Sequence, residues 1–137
     1  MILVDSNVLI DVTADDPVWR DWSLSKLEDA AASGAVAIGP IVVAEVGPSF
    51  GSLEKFRRQL DALGLEIEPM SDEAAFLAGT AFRRYLAKRS EEKTILADFL
   101  IGAQAATLGA SLLTRDPRFY TRYFPELTLI TPENDNG

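Results

Sequence analysis

Met1-Ile2-Leu3-Val4-Asp5 opens the chain, and Ser111-Leu112-Leu113-Thr114-Arg115-Asp116 repeats its plan near the other end. In each, a short unbroken apolar run is followed within a few residues by an aspartate. Such a run, without polar alternation, marks a strand buried on both faces, as parallel sheets require. Ala35-Val36-Ala37-Ile38 and Leu127-Thr128-Leu129-Ile130 add two strands, and Leu65-Glu66-Ile67-Glu68 alternates as a shorter one.

Helical segments alternate with these strands. Asp16-Pro17 pairs an N-cap with proline at the first helical position, predicting a helix that carries Val18, Trp19, Trp22, Leu27, Ala30 and Ala31 as far as Gly34. Gly39-Pro40 turns the chain into a helix bearing Ile41, Val42, Glu45 and Val46, stopped near Gly47-Pro48. Ser52 caps a helix with Leu53, Phe56, Leu60 and Leu63 at helical spacing, and Gly64 ends it. Ser71-Asp72-Glu73 starts a long amphipathic helix with an inner face of Ala74, Leu77, Ala78, Ala81, Phe82 and Tyr85. Its outer face carries Arg83, Arg84, Lys88 and Arg89. Asp98 to Leu108 is apolar almost all round and therefore central, with Gly109 as its stop. The alternation predicts an α/β fold, a short parallel sheet between helices in three layers.

Composition narrows the chemistry. With 137 residues and 47% hydrophobic content the chain suits one domain with its own core. A net charge of −8 provides no global field for nucleic acid, leaving that task to local basic faces. There is no histidine and no cysteine, which excludes Ser-His-Asp and Cys-His catalysis and the usual nitrogen and sulfur ligands of zinc, copper and iron–sulfur centres. What remains favours carboxylates with a hard cation, Mg²⁺ above all and Mn²⁺ as its substitute. The opening apolar run is too short for a signal-peptide core, and no run approaches the ~20 residues of a membrane span. The expectation is a cytoplasmic protein without a membrane partner.

Four acids stand among apolar neighbours, where a carboxylate is expensive unless paired or metal-bound. Asp5 closes the first run, Glu45 interrupts Pro40-Ile41-Val42-Val43-Ala44, Asp98 precedes Phe99-Leu100-Ile101-Gly102-Ala103, and Asp116 comes after the fourth strand. Ligands of such sheets bind outside the carboxyl ends of the strands, where the strand order reverses. Each acid also has a plainer reading. Asp5 caps the segment after its strand, Asp98 suits a helix's first turn, and Asp116-Pro117 is a turn signal. Glu45 resists such an account. Four coincidences on one edge are less economical than one cation site.

The same residues carry a resemblance. Asp5-Ser6-Asn7-Val8-Leu9-Ile10-Asp11, Val43-Ala44-Glu45-Val46, Ala97-Asp98-Phe99-Leu100-Ile101-Gly102-Ala103 and Leu113-Thr114-Arg115-Asp116 resemble the four acidic motifs of a PIN domain, in order. Tyr120 through Pro125, then Leu127 and Ile130, is similar to the ending of VapC-type toxins of bacterial toxin–antitoxin pairs. The resemblance implies one PIN domain over residues 1–131 with a tail at 132–137. It implies a Mg²⁺-dependent endoribonuclease, usually dimeric, neutralised by an antitoxin encoded beside it. Asp5 and Asp98 match the main metal positions, and Glu45 and Asp116 complete the cluster. Gln104 departs from the pattern, standing where many close relatives carry histidine. Six residues from Asp98, and about 120° around the axis, it is expected to tune packing or a partner contact.

Other residues are read around that site. Asn7 and Ser6 either bond the metal's water shell, orient Asp5 or cap a helix. Thr114 holds water or phosphate, or simply ends a strand. Arg115, Arg118 and Arg122 could grip RNA phosphates, extended by Arg83, Arg84, Lys88, Arg89 and Lys93, or the helix arginines form a solvated face. Asp11 reads as a helix-surface acid. Trp19, Trp22, Phe56 and Leu60 read as core or as interface for a homodimer. Two rivals remain. A phosphoacceptor domain would need a strand-end lysine where Thr114-Arg115-Asp116 stands. A non-catalytic PIN scaffold, a binding module, would have lost acids, and none of the four is missing.

Overall fold

Leu3, Val4, Ala37, Ile38, Leu112 and Leu113 are all buried, and they come from runs too short to cover one another unless they lie side by side. A computed structural model of the chain describes residues 1–88 and 95–134. In it β1 (Ile2–Val4), β2 (Val36–Ile38), β3 (Glu66–Ile67), β4 (Ser111–Leu113) and β5 (Leu129–Ile130) form one sheet in the order β3-β2-β1-β4-β5. Every pairing is parallel. The chain moves outward from β1 through β2 to β3, then returns to lay β4 on the other side of β1. The strand order therefore reverses between β1 and β4. In register, Val4 lies beside Leu113, and the Asp5 amide donates to the Leu113 carbonyl at 2.9 Å. Asp5 and Thr114 thus leave the sheet as neighbours, at the switch point where such folds bind ligands.

Seven α-helices flank this sheet among the described residues: α1 (Ser6–Thr13), α2 (Arg20–Ser33), α3 (Pro40–Val46), α4 (Leu53–Leu63), α5 (Asp72–Lys88), α6 (Leu96–Leu108) and α7 (Arg118–Tyr123). The caps read from the sequence form. Ser52 Oγ accepts from the Lys55 amide at 3.1 Å, and Gly64 ends α4 with φ of 75°, in the left-handed region that favours glycine. α6 buries Phe99, Ile101, Gly102, Ala103, Gln104 and Ala105, as its apolar circumference predicts, and packs along α5.

Four details differ from expectation. α1 and α7 had no counterpart in the periodicity. α1 is launched by Asp5, which directly follows β1 and serves as N-cap. α7 is a six-residue aromatic helix whose Phe119, Tyr123 and adjoining Phe124 pack on Phe99. A Cβ at Gly102 would run into the Phe124 ring, so α6 needs glycine there. α2 begins at Arg20, because Asp16 Oδ1 takes the amides of Val18 and Trp19, each at 2.8 Å, and holds residues 17–19 as a preceding turn. Leu77, assigned to the inner face of α5, is 42% exposed; Ala74, Ala78 and Tyr85 form the buried stripe.

Candidate metal centre

Asp5 is 6% exposed and bonded on both oxygens. Its Oδ1 accepts the Ser6 amide at 2.8 Å, capping α1. Its Oδ2 accepts the Thr114 hydroxyl at 2.9 Å, the Tyr120 hydroxyl at 3.0 Å and the Asn7 amide at 3.5 Å. Burial raises its carboxyl from the ordinary value, while the bonds from Thr114, Tyr120 and Ser6 act the other way. Every one of these donors is neutral, so none of them cancels the negative charge.

Asp98 lies in the first turn of α6 and is partly buried. The helix dipole favours an anion there, yet its carboxyl is pushed up to about 6. Burial is the largest cause, followed by the charges of Asp5, Glu45 and Asp116. The four carboxylates therefore share one field at the carboxyl edge of the sheet. Glu45, on α3, and Asp116, past β4, are exposed, so the expectation of four acids in costly positions holds fully for Asp5 and in part for Asp98. Arg118 reaches Asp116 at 3.4 Å across solvent. Among the described residues no ion pair reaches Asp5, Glu45 or Asp98. Among the same residues no three acids already stand as a finished cage for a metal ion. An all-oxygen donor set of carboxylates suits a hard divalent cation, which Asp5 and Asp98, with the exposed Glu45 and Asp116, would hold.

Three polar residues beside these acids turn their side chains to the protein's own groups, and Asn7 contacts Asp5, one of the roles expected of it. Thr114 is completely buried and out of substrate's reach: besides donating to Asp5, its oxygen accepts from the Asn7 amide at 3.3 Å and the Asp116 amide at 3.2 Å. Asn7, in the first turn of α1, ties that helix to the loop after β4, with Oδ1 accepting the Arg115 amide at 3.0 Å. Arg115 points inward. Its Nε and Nη2 donate to Asp11 at 2.8 and 2.9 Å, and its guanidinium lies over Trp19, 5.4 Å from the ring centroid. Asp11 is accordingly no surface acid: it is 1% exposed and also accepts from Ser23 Oγ at 2.7 Å. Sequence separations of 104 and 12 residues hid both partners.

Tyr120 was missed altogether as a site residue. It is buried on α7, and its hydroxyl proton is held up by burial first and by the negative charges of Asp5 and Asp98 next. A tyrosine one helical turn beyond Asp116-Pro117 was the available signal. Gln104 does tune packing: its amide donates to the carbonyls of Glu68 and Pro69 at 3.1 and 3.4 Å, and its side chain fills the space a Cβ on Gly39 would need. Phe56 and Leu60 are buried core, which removes them from any interface, whereas Trp19 and Trp22 pack edge to face at the margin of the core. Arg83, Arg84 and Lys88 are exposed on α5; Arg89 and Lys93, expected to extend that face, lie outside the described residues, as do 135–137 of the tail.

The sequence matches the PIN domain over residues 2–125, and the chain belongs to that family. PIN domains are generally nucleases that use divalent metal ions. Among solved structures, VapBC2 from Rickettsia felis, bound to a DNA fragment from their promoter, is 26% identical with a TM-score of 0.73, over 96% of this chain and 98% of that one. FitAcB from Neisseria gonorrhoeae is 20% identical with a TM-score of 0.69, over 98% and 100%. VapBC-1 from nontypeable Haemophilus influenzae is 18% identical with a TM-score of 0.68, over 96% and 98%. The latter two speak for the fold alone. No curated protein matches the chain significantly. Among the described residues no helix is long and apolar enough to cross a membrane.

Proposed function

We propose that this chain is a VapC-type toxin, a Mg²⁺-dependent endoribonuclease that hydrolyses RNA phosphodiester bonds and is neutralised by a protein antitoxin. The observation that carries this reading is the PIN-domain match over residues 2–125 together with four carboxylates, Asp5, Glu45, Asp98 and Asp116, that act on one another at one edge of the sheet. A site that holds like charges together without a buried counter-ion is built for one that arrives. Similarity to VapBC2 supports the toxin assignment, and the neighbouring complex from Klebsiella pneumoniae is described as a toxin–antitoxin complex.

In this reading Asp5 and Asp98 are the principal ligands of Mg²⁺, or of Mn²⁺ in its place, with Glu45 and Asp116 completing the cluster from exposed positions. When bound there, such an ion would supply Lewis acidity and would lower the pKa of a water beside the phosphate. The protein's own part is positional. β1 and β4 deliver Asp5 and the Thr114–Asp116 loop side by side, and Asp98, in the first turn of α6, feels their charges. Exposed Arg118, ion-paired with Asp116, would meet a phosphate of the RNA strand. The protein acts as a homodimer in the cytoplasm, and its antitoxin presents a basic side chain to the acidic edge, where a cation relieves the repulsion.

The test is purified chain, freed of antitoxin, on total RNA with Mg²⁺ and with excess chelator. Cleavage with Mg²⁺ and none with chelator is expected. Undiminished cleavage in chelator sinks the metal reading, and no cleavage under either condition favours a non-catalytic scaffold.

A further inference from the structure

A carboxylate oxygen has two lone pairs to offer, and the two oxygens of Asp5 are not equally occupied. Oδ2 already accepts from Thr114 at 2.9 Å, Tyr120 at 3.0 Å and Asn7 at 3.5 Å. Oδ1 accepts one short bond, from the Ser6 amide at 2.8 Å, and a long contact from the Ser6 hydroxyl at 3.5 Å. The open valence of Asp5 is therefore on Oδ1. Both short bonds to Oδ2 come from groups the sheet and helix packing fix. Thr114 ends β4 and is completely buried, with its oxygen pinned by the Asp116 amide. Tyr120 is buried in α7, edge-on to Phe119 at 5.1 Å, and that helix turns by the Thr121 amide on the Pro117 carbonyl at 2.9 Å.

We infer that Tyr120 and Thr114 are positioning residues, whose hydroxyls tie down Asp5 Oδ2 so that Asp5 offers a divalent cation the single oxygen Oδ1. This rests on the metal-dependent reading above and adds to it how one ligand is oriented. Partners that orient a metal ligand through its other atom typically change affinity by 10–100-fold when removed. Neither hydroxyl touches substrate; both act through Asp5.

The test uses the full chain and Mn²⁺ alone as probe, monitored by electron paramagnetic resonance, beside melting in excess chelator. Tyr120→Phe keeps the ring and its packing, so melting in chelator should stay near the parent's while Mn²⁺ affinity falls about 10-fold. Thr114→Val should lose affinity similarly, and Thr114→Ser, which retains the hydroxyl, should restore it. Parent-like affinity in Tyr120→Phe overturns the inference while the metal reading stands, as long as Asp98→Asn loses binding. If Tyr120→Phe melts far below the parent, the threonine pair decides, and equal affinity for valine and serine overturns the inference. Absence of Mn²⁺ binding by the parent, or its persistence in Asp98→Asn, brings down the metal reading and this inference together.

Discussion

Asp5 and Asp11 stand at one helix, the first as its cap and the second in its last turn, both buried, and they resolve the expense of a buried carboxylate in opposite ways. Asp11 is given a full counter-charge. Arg115 clamps it through two N–H groups at 2.8 and 2.9 Å, and Ser23 takes a further lone pair at 2.7 Å. Asp5 is given neutral donors alone, from Ser6, Asn7, Thr114 and Tyr120. Hydrogen bonds hold its position and leave its charge in place, beside Asp98, Glu45 and Asp116. One acid is structural and finished. The other shares its field with Asp98, Glu45 and Asp116, and among the described residues no ion pair reaches it. The two meet in Arg115, whose side chain closes the Asp11 pair while its backbone amide holds Asn7. The structural pair thus braces the loop that brings Thr114 and Asp116 to the site.

If that contrast is right, neutralising each group has effects of opposite kind. The largest is on activity. Asp98→Asn should lower RNA cleavage by roughly 10³-fold, the scale of a lost metal ligand's several kcal/mol, measured as initial rate at saturating Mg²⁺. In chelator the same variant should melt no lower than the parent, because a repelled charge has been removed. Arg115→Met should do the reverse to the fold. Stripping the cation from a buried carboxylate costs about 3 kcal/mol, or roughly 10 °C in melting temperature for a domain of this size. An Arg115→Met protein that melts with the parent would show that Asp11 never needed its counter-charge.

Smaller effects sharpen the comparison. Glu45→Gln removes an exposed charge that acts on Asp98 through partly screened space, and should lower cleavage by about 10-fold. The smallest effect is on pH dependence in metal-free protein. Burial, and then the charges of Asp5, Glu45 and Asp116, push the Asp98 carboxyl up to about 6 from its ordinary 3.8. Between those values the folded state holds the extra proton, so stability falls as pH rises from about 4 to about 6 and levels off above. Chemical denaturation in chelator across that range measures it. Asp98→Asn should flatten that part of the profile, and an unchanged slope would place the repulsion elsewhere.

The contrast was only half legible in the sequence. The strands were readable because burial on both faces forces unbroken apolar runs, and Ser52 and Gly64 announced the ends of their helix. The places of Asp5, Asp98 and Asp116 in the fold were legible because they derive from strand ends and a helix start. Glu45 was noticed for its apolar neighbours, and the structure nevertheless leaves it exposed, since the outer side of α3 turns it to solvent. What stayed hidden was pairing at long range. Arg115 lies 104 residues from Asp11, and Tyr120 lies 115 from Asp5. Spacing within a helix carries no trace of such partners. α1 was present only as a helix start at Ser6-Asn7 and a surface position at Asp11, and α7 was not read at all, because eight and six residues are too few for a helical period to set their bounds.

The central claim is that the carboxyl edge, and not the Asp11 pair, receives a divalent cation. Crystals of the full chain soaked in Mn²⁺ and measured for anomalous scattering address it directly. A peak is expected among Asp5, Glu45, Asp98 and Asp116, with Asp5 contributing Oδ1, and no peak at Asp11. A fully occupied Mn²⁺ peak elsewhere on the molecule, with none among those four acids, would contradict the claim.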